Sequence, residues 1–365
     1  MKSTRGRVVQ VGSLAEFDRR LAAGATSMSG WRVRSVDLTE RTAELEHSRL
    51  SGASFLGCIF APAVAARVEA SGALVLPSSP AVPVDVRRSR LYTPDELYDD
   101  PSYPDSLDGR AYAWSQRPFE PEAAVAQVLH DHAIDQALSA WAGARHIVGV
   151  MGGHALQRGE PAYADAARLG RLLSTARVVA TGGGPGAMEA VNLGARLAGR
   201  PGSDLDVALD VLAEVPAYRP AVGDWLAVAF EVNRRFPGGA ESLGIPTWHY
   251  GHEPTNVFAT AIAKYFRNAI REAILVQVCD AGIVFLPGAG GTVQEVFQDA
   301  CENYYADESS VAPMVLVGAS YWTETLPAWP LLSSLARGRV MEGHVHLVDT
   351  VEEAAALFAS QAVSP

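Results

Sequence analysis

The chain has 365 residues, 48% of them hydrophobic and 19% charged, with a formal net charge of −11 at pH 7. That length accommodates two domains, and an acidic balance with no basic stripe argues against a nucleic-acid or anionic-membrane partner. No run is long enough to span a bilayer and residues 1–11 lack the apolar core of a secretion signal, so the expected location is cytoplasmic.

Residues 1–120 read as an N-terminal accessory domain. Residues 13–23 fit a short amphipathic helix capped by Ser13. Leu45, Leu50, Phe55 and Phe60 then recur every five residues, with the small residues Ala43, Ser48, Ala53 and Cys58 two positions before each. The spacing resembles a pentapeptide repeat, in which four such units form about one coil of a right-handed β-helix; an ordinary αβ segment would give the same alternation by chance. A helix over 62–70 and a strand over 73–76 follow. Thr93-Pro94-Asp95-Glu96 combines a cap, a proline at the first helical position and an acid three residues on. Residues 99–121 are rich in Pro, Tyr and Asp and read as an irregular connector. A connecting helix over 121–145 carries Val125, Val128, Leu129, Ile134, Leu138 and Trp141 as its apolar positions. His130 and His132, two apart, do not share a helix face, so no metal site is expected there.

From 146 to 365, short apolar runs alternate with amphipathic segments. Strands are expected at 146–150, 177–180, 243–249, 281–286, 313–317 and 346–348. Helices are expected at 161–173, 186–198, 205–213, 224–235, 256–278, 292–305 and 351–359. The alternation predicts an α/β domain with a Rossmann-like, doubly wound parallel sheet and helices on both faces. The helix over 256–278 would place Lys264, Asn268 and Arg271 on one face, with Ile262, Phe266, Ile270 and Leu275 on the apolar side. Cys58, Cys279 and Cys301 are few, odd in number and set among apolar or helical residues, which fits buried thiols in a reducing compartment.

Two glycine-rich turns stand at strand ends. Thr181-Gly182-Gly183-Gly184-Pro185-Gly186-Ala187-Met188-Glu189 is the first, and Pro287-Gly288-Ala289-Gly290-Gly291-Thr292-Val293-Gln294-Glu295 the second. A strand, a bare turn and a helix N-terminus in that order make an anion site, because unpaired N–H groups and the helix dipole point at the crevice. Thr292-x-x-Glu295 also fits a capping box, which needs no ligand. Two such turns at parallel strand ends predict one shared crevice. A carboxylate at Glu295 is a poor neighbour for a phosphate unless it has chemistry to do. Pyridoxal chemistry is disfavoured, since it needs a Schiff-base lysine and Lys2 and Lys264 are the only lysines. Neither turn gives a clean Gly-x-Gly-x-x-Gly followed by an acid about twenty residues on, so a dinucleotide oxidoreductase is disfavoured too.

The paired motifs resemble the Lonely Guy (LOG) family of Rossmann-like phosphoribohydrolases, often mislabelled lysine decarboxylases, over roughly residues 145–360. The Gly-Pro-Gly-Ala-Met form is most similar to bacterial nucleotide 5′-monophosphate nucleosidases. The resemblance implies hydrolysis of the N-glycosidic bond of a nucleoside monophosphate, with Glu295 and Arg271 catalytic, no metal or organic cofactor, and a homodimer or higher homo-oligomer. It places the ligand on Gly183, Gly184, Gly186, Met188, Gly288, Gly290, Gly291 and Thr292. Gly153 and His154 occupy a further turn that faces the nucleotide in that family; His154 would contact base or ribose, or be an exposed loop residue. Arg158 is a candidate phosphate contact, and Tyr304 and Tyr305 would stack on a base or pack in a core or interface. Arg271 is expected to hold Glu295 ionised. Residues 201–240 are an insert relative to the family. Ala289, Ile270 and Glu272 also depart from its pattern. The alternative on the same fold is a non-catalytic nucleotide or cofactor carrier, or a nucleotide sensor.

Overall fold

The computed structural model describes residues 8–76, 82–117, 121–143, 145–249 and 253–359. The chain divides into a smaller unit, residues 1–87 with 119–126, and a larger one, residues 88–118 with 127–365.

In the smaller unit, parallel strands alternate with helices: β1 (Val9–Val11), α1 (Leu14–Ala22), β2 (Trp31–Arg34), α2 (Thr42–His47), β3 (Ser54–Leu56), α3 (Val64–Ala70) and β4 (Leu74–Leu76), with sheet order β1-β2-β3-β4. Ser13 caps α1 by accepting the Glu16 N–H, as expected. The pentapeptide coil is not formed. Leu45 lies on α2 and Phe55 on β3, so the spacing of five samples different elements. The working period is about 22 residues, one strand and one helix. It stacks Val11, Val33, Phe55 and Val75 in register across the sheet. Each of the last three strands is preceded by Ser-Gly, at Gly30, Gly52 and Gly72, all with positive φ. These turns stack as well, with Gly30 N–H donating to Gly52 O and Gly52 N–H to Gly72 O. The Ser-Gly recurrence is the sequence signal for this repeat.

The larger unit begins with α4 (Pro94–Leu97) and a 3₁₀ turn, Tyr103–Asp105. Thr93 caps α4 by accepting the Glu96 N–H. Residues expected as an irregular connector contain α5 (Leu107–Ser115), started by Ser106, which accepts the Gly109 N–H. Asp108 on α5 is fully buried and takes the Lys264 ammonium at 2.5 Å and the Trp248 indole N–H at 2.9 Å. Leaving either charge of such a pair unmatched inside a protein costs about 3–5 kcal/mol, so the pair fastens α5 to the rest of this unit.

After α6 (Pro121–Ala142) come β5 (Ile147–Met151), α7 (Pro161–Leu173), β6 (Val178–Thr181), α8 (Ala187–Arg196), α9 (Gly202–Ala213), α10 (Val222–Arg235), β7 (Ser242–Gly244) and β8 (Ala261–Ile262). Then follow α11 (Asn268–Gln277), β9 (Ile283–Phe285), α12 (Gly290–Tyr305), β10 (Met314–Val317), a π-helical turn (Tyr321–Thr325), α13 (Ala328–Ala336), a 3₁₀ turn (Val340–His344), β11 (Val345–Val348) and α14 (Val351–Ala359). The strands form one sheet in the order β11-β10-β9-β5-β6-β7-β8, parallel throughout. This is a doubly wound, Rossmann-like α/β fold. The central strands are buried on both faces, hence their unbroken apolar runs.

The long helix expected over 256–278 is two things. Residues 253–267 run extended around β8, and only Asn268–Gln277 is helical. Lys264 and Arg271 thus belong to different elements. The apolar spacing was misleading because this edge strand is covered on every side: Tyr92 bridges Ile262, and Val257, Phe258, Ile262 and Tyr265 are all buried. Cys279 is buried, but Cys58 is half-buried and Cys301 exposed, against the expectation for those two. Among the described residues no helix is long and apolar enough to cross a membrane.

Candidate functional site

The sheet order reverses at β5 and β9: the chain proceeds from β5 to β8 on one side and from β9 to β11 on the other. Crevices at such a switch point are where open α/β sheets bind ligands. Here the crevice is a cavity of about 860 Å³, lined at the ends of β5 (Gly152–His154), β6 (Gly182), β9 (Leu286–Thr292), β10 (Val317, Gly318) and β11 (Asp349–Glu352).

The β9 turn forms one wall. Helix α12 starts after Ala289 with no side-chain cap and no acid in its first turn, so the Thr292–Glu295 capping box is not formed. Its first N–H groups lack partners within the helix. A Cβ added at Gly290 or Gly291 would meet nothing within 4 Å. At Gly288 the reason for glycine differs, since a Cβ there would collide with the Thr292 side chain. The Gly288 carbonyl accepts the Tyr321 hydroxyl at 2.6 Å, which steadies the turn from the β10 side.

Glu295 stands one helical turn behind this bare end, its side chain 13% exposed. Arg271 enters from α11. The start of that helix is held by Asp131 of α6, which accepts the N–H groups of Phe266 and Arg267 at 2.9 Å each. The Arg271 guanidinium donates to the carbonyls of Ile245 at 2.7 Å and Gly182 at 3.2 Å. It lies 3.9 Å from the Glu295 carboxylate, an ion pair without a hydrogen bond. Arg271 was expected to hold Glu295 ionised. Burial outweighs it: the Glu295 carboxyl is pushed up to about 7, with Arg271 pulling it down and Glu272 pushing it up.

The β6 turn contributes less than its three glycines suggest. Gly182 and Met188 line the cavity, while Gly183, Gly184 and Gly186 do not. Gly183 has φ 71° and presses on Pro246 and the Ile245 backbone, and Gly186 has φ 73° and presses on the Gly153 carbonyl. Asn256 closes the back of the turn: its N–H and side-chain amide donate to the carbonyls of Gly183 and Gly184. Gly183 and Gly186 serve close packing against neighbouring backbone, and Gly184 makes room for the Met188 side chain. Gly182 is the turn residue the sequence reading passed over. Arg271 and Met188 crowd its Cα, and any Cβ would displace them.

Gly153 and His154 both line the cavity, and His154 is mostly exposed, 3.8 Å from Glu253. Arg158 is not available to a phosphate. It is buried and forked onto Glu189 of α8, which also accepts the Tyr163 hydroxyl at 2.8 Å. Arg158 also donates to the carbonyls of Val215 and Trp225 in the 201–240 segment and lies 4.3 Å above the Trp225 ring. One guanidinium therefore ties together the β5–α7 loop, α8 and that segment. Lys264 lies outside α11 and pairs with Asp108, so it does not share a helix face with Arg271 as expected; Asn268 is on the same helix three residues before Arg271 and donates to Glu272 at 2.6 Å. Tyr304 stacks under Arg339 and Tyr305 is exposed; neither lines the cavity. Glu253, Glu272 and Tyr321 do line it; Glu272 stands beside Arg271 where the sequence departs from the family's pattern, and nothing in the sequence surroundings of Glu253 and Tyr321 marks them. Among the described residues, no group of three or more His, Cys, Asp or Glu is placed to hold a metal ion.

Comparison with known protein families and with curated proteins finds no match. Similar solved structures include the molybdenum cofactor binding protein of Rippkaea orientalis, with 20% identity over 60% of this chain and 97% of that one, at a TM-score of 0.37. The molybdenum cofactor carrier protein of Chlamydomonas reinhardtii is similar at 19% identity over 60% of this chain and 99% of that one, at a TM-score of 0.36. Likeness at this level says nothing about what the chain binds.

Proposed function

We propose that the protein is a nucleoside 5′-monophosphate phosphoribohydrolase. The observation that carries this reading is a buried carboxyl, Glu295, with a pKa of about 7, one turn behind an uncapped helix N-terminus and beside Arg271 in the same cavity. The motif resemblance to the Lonely Guy family supports it. The phosphate would lie on the first-turn N–H groups of α12, where Gly290 and Gly291 leave the approach open. The ribose would lie between that turn and Gly182, within reach of Arg271 and Glu295.

Cleavage breaks the bond from C1′ to the base nitrogen, and its electron pair leaves with the base. Water adds through oxygen to C1′, and its proton passes to Glu295 and onward to the departing base. The products are a free base and ribose 5-phosphate. The C1′ centre is cationic as the bond opens, so a carboxylate beside it stabilises the transition state more than the ground state. A group titrating near 7 takes and returns a proton efficiently at neutral pH.

A second reading, a non-catalytic carrier or sensor of a larger phosphate-bearing molecule, is favoured by one feature. The cavity, at about 860 Å³, is near the upper end of the roughly 300–1,000 Å³ typical of small-molecule sites. Free-base release from a panel of nucleoside monophosphates, measured by chromatography, separates the two. The expected result is release by the wild type and a loss of about 10²–10⁴ in rate for Glu295→Gln. Binding without release from any nucleotide would favour the carrier.

A further inference from the structure

We infer that the 201–240 segment builds the base-binding end of this site, and that the base it takes presents a guanine-type edge. The inference rests on the phosphoribohydrolase reading and names the base that reading leaves open.

A second cavity of about 290 Å³ shares the wall of His154, Ala155, Leu156 and Glu253 with the main one. Its opposite wall comes from the α9–α10 linker, through Tyr218 and Arg219, and from Trp225 of α10. That wall is built on a rigid base. Trp225 is fully buried under Arg158, whose guanidinium is in turn fixed by Glu189. Tyr218 packs edge-on to Trp225, with ring centroids 6.3 Å apart and planes at 72°, and is only half-buried. The Arg219 guanidinium lies 5.5 Å from the Tyr218 ring centroid, so ring and guanidinium together form the stacking surface offered to a heteroaromatic base, and such stacking tolerates any base.

Selection has to come from the shared wall. There the imidazole Nε2 of His154 and the carboxylate of Glu253 stand 3.8 Å apart, beyond direct hydrogen-bond reach of one another. With its proton on Nε2, the imidazole offers a ligand one N–H donor beside the carboxylate's two-oxygen acceptor. Guanine carries the complement along one edge: the O6 acceptor, then N1–H and the N2 amino group as donors. The carboxylate accepts both donors while the imidazole N–H reaches O6. Hypoxanthine lacks the amino group. Adenine presents its N1 lone pair to the carboxylate and its amino group to the imidazole donor, a mismatch at both contacts. A site built to pair a polar group discriminates against ligands that leave it unpaired.

The test is calorimetric titration of GMP, IMP, AMP and ribose 5-phosphate into full-length Glu295→Gln protein, so that turnover does not intrude, and into the same protein carrying Glu253→Gln or Tyr218→Ala. GMP should bind roughly 10-fold or more tighter than IMP and AMP. Glu253→Gln should lower GMP affinity about 10–100-fold, the worth of hydrogen bonds to a charged group, and leave ribose 5-phosphate unchanged. Tyr218→Ala should weaken the three nucleotides alike and again spare ribose 5-phosphate. Equal affinity for all four ligands in every variant, or a preference for AMP, overturns the base assignment and leaves the phosphoribosyl site standing. Failure of all four, ribose 5-phosphate included, overturns both readings.

Discussion

The two glycine-rich turns of the larger unit follow parallel strands, open helices and flank one crevice, yet they use glycine for opposite ends. In the β6 turn, Gly183 and Gly186 adopt positive φ and lie against neighbouring backbone. Their missing side chains are a condition of the fold. In the β9 turn, Gly290 and Gly291 have ordinary helical backbone and nothing near the place of a Cβ. Nothing in the protein requires glycine there, so its effect is to leave the helix end bare. Glycine content alone therefore does not locate a ligand; what occupies the space beside each Cα does.

The largest test of this contrast is Gly183→Ala. Left-handed backbone at a non-glycine residue and overpacking against Pro246 together should cost on the order of 3 kcal/mol, read as a lowered Tm in thermal unfolding of the full chain. An unchanged Tm would show that the β6 turn is as permissive as the β9 turn.

Next in size is the effect of pH on Glu295. Its folded pKa of about 7 lies above the ordinary 4.5, so between those values the folded chain holds a proton that the unfolded chain releases. The neutral carboxyl's contribution to stability is complete below about pH 4.5, declines as pH rises and is gone above 7. At about 1.36 kcal/mol per unit, the wild type should lose roughly 3 kcal/mol across that window. Glu295→Gln does not titrate. Its stability should match the wild type's near pH 4.5 and exceed it by roughly 3 kcal/mol at pH 8, measured by urea unfolding at both values. A constant difference between the two proteins would mean that burial does not govern this carboxyl.

The smallest expected stability change belongs to Gly290→Ala. With open space at the Cβ position, it should stay within about 1 kcal/mol of wild type. Its affinity for ribose 5-phosphate should still fall, because the methyl group intrudes on the phosphate approach. A variant that melts early yet binds normally would reverse the roles given to the two turns.

Much of the larger unit was legible in the chain. The strands expected at 281–286 and 313–317 contain β9 and β10, the one expected at 146–150 is offset by one residue from β5, and the helices of 161–173 and 351–359 match α7 and α14 at both ends. Central parallel strands read as apolar runs because both faces are covered, and the prolines, glycines and caps that bound them act locally. Legibility failed where cover came from far along the chain. Residues 256–267 share the apolar character of a buried helix, but Tyr92 and the neighbouring strands make them an edge. The repeat of the smaller unit escaped because its period of about 22 residues is marked only by the short Ser-Gly pairs at Gly30, Gly52 and Gly72.

By itself, the sequence determined the alternation of strands and helices and the two turns, because periodicity, caps and glycine are properties of neighbouring residues; Glu295 and Arg271 were singled out as a pair by the resemblance of the motifs. Tertiary structure alone decided which glycines face open space, that Arg158 serves Glu189 rather than a ligand, and that Glu295 titrates near neutrality. Those outcomes depend on desolvation and on partners tens of residues away, and no local pattern encodes the distance between a carboxylate and the water it has lost.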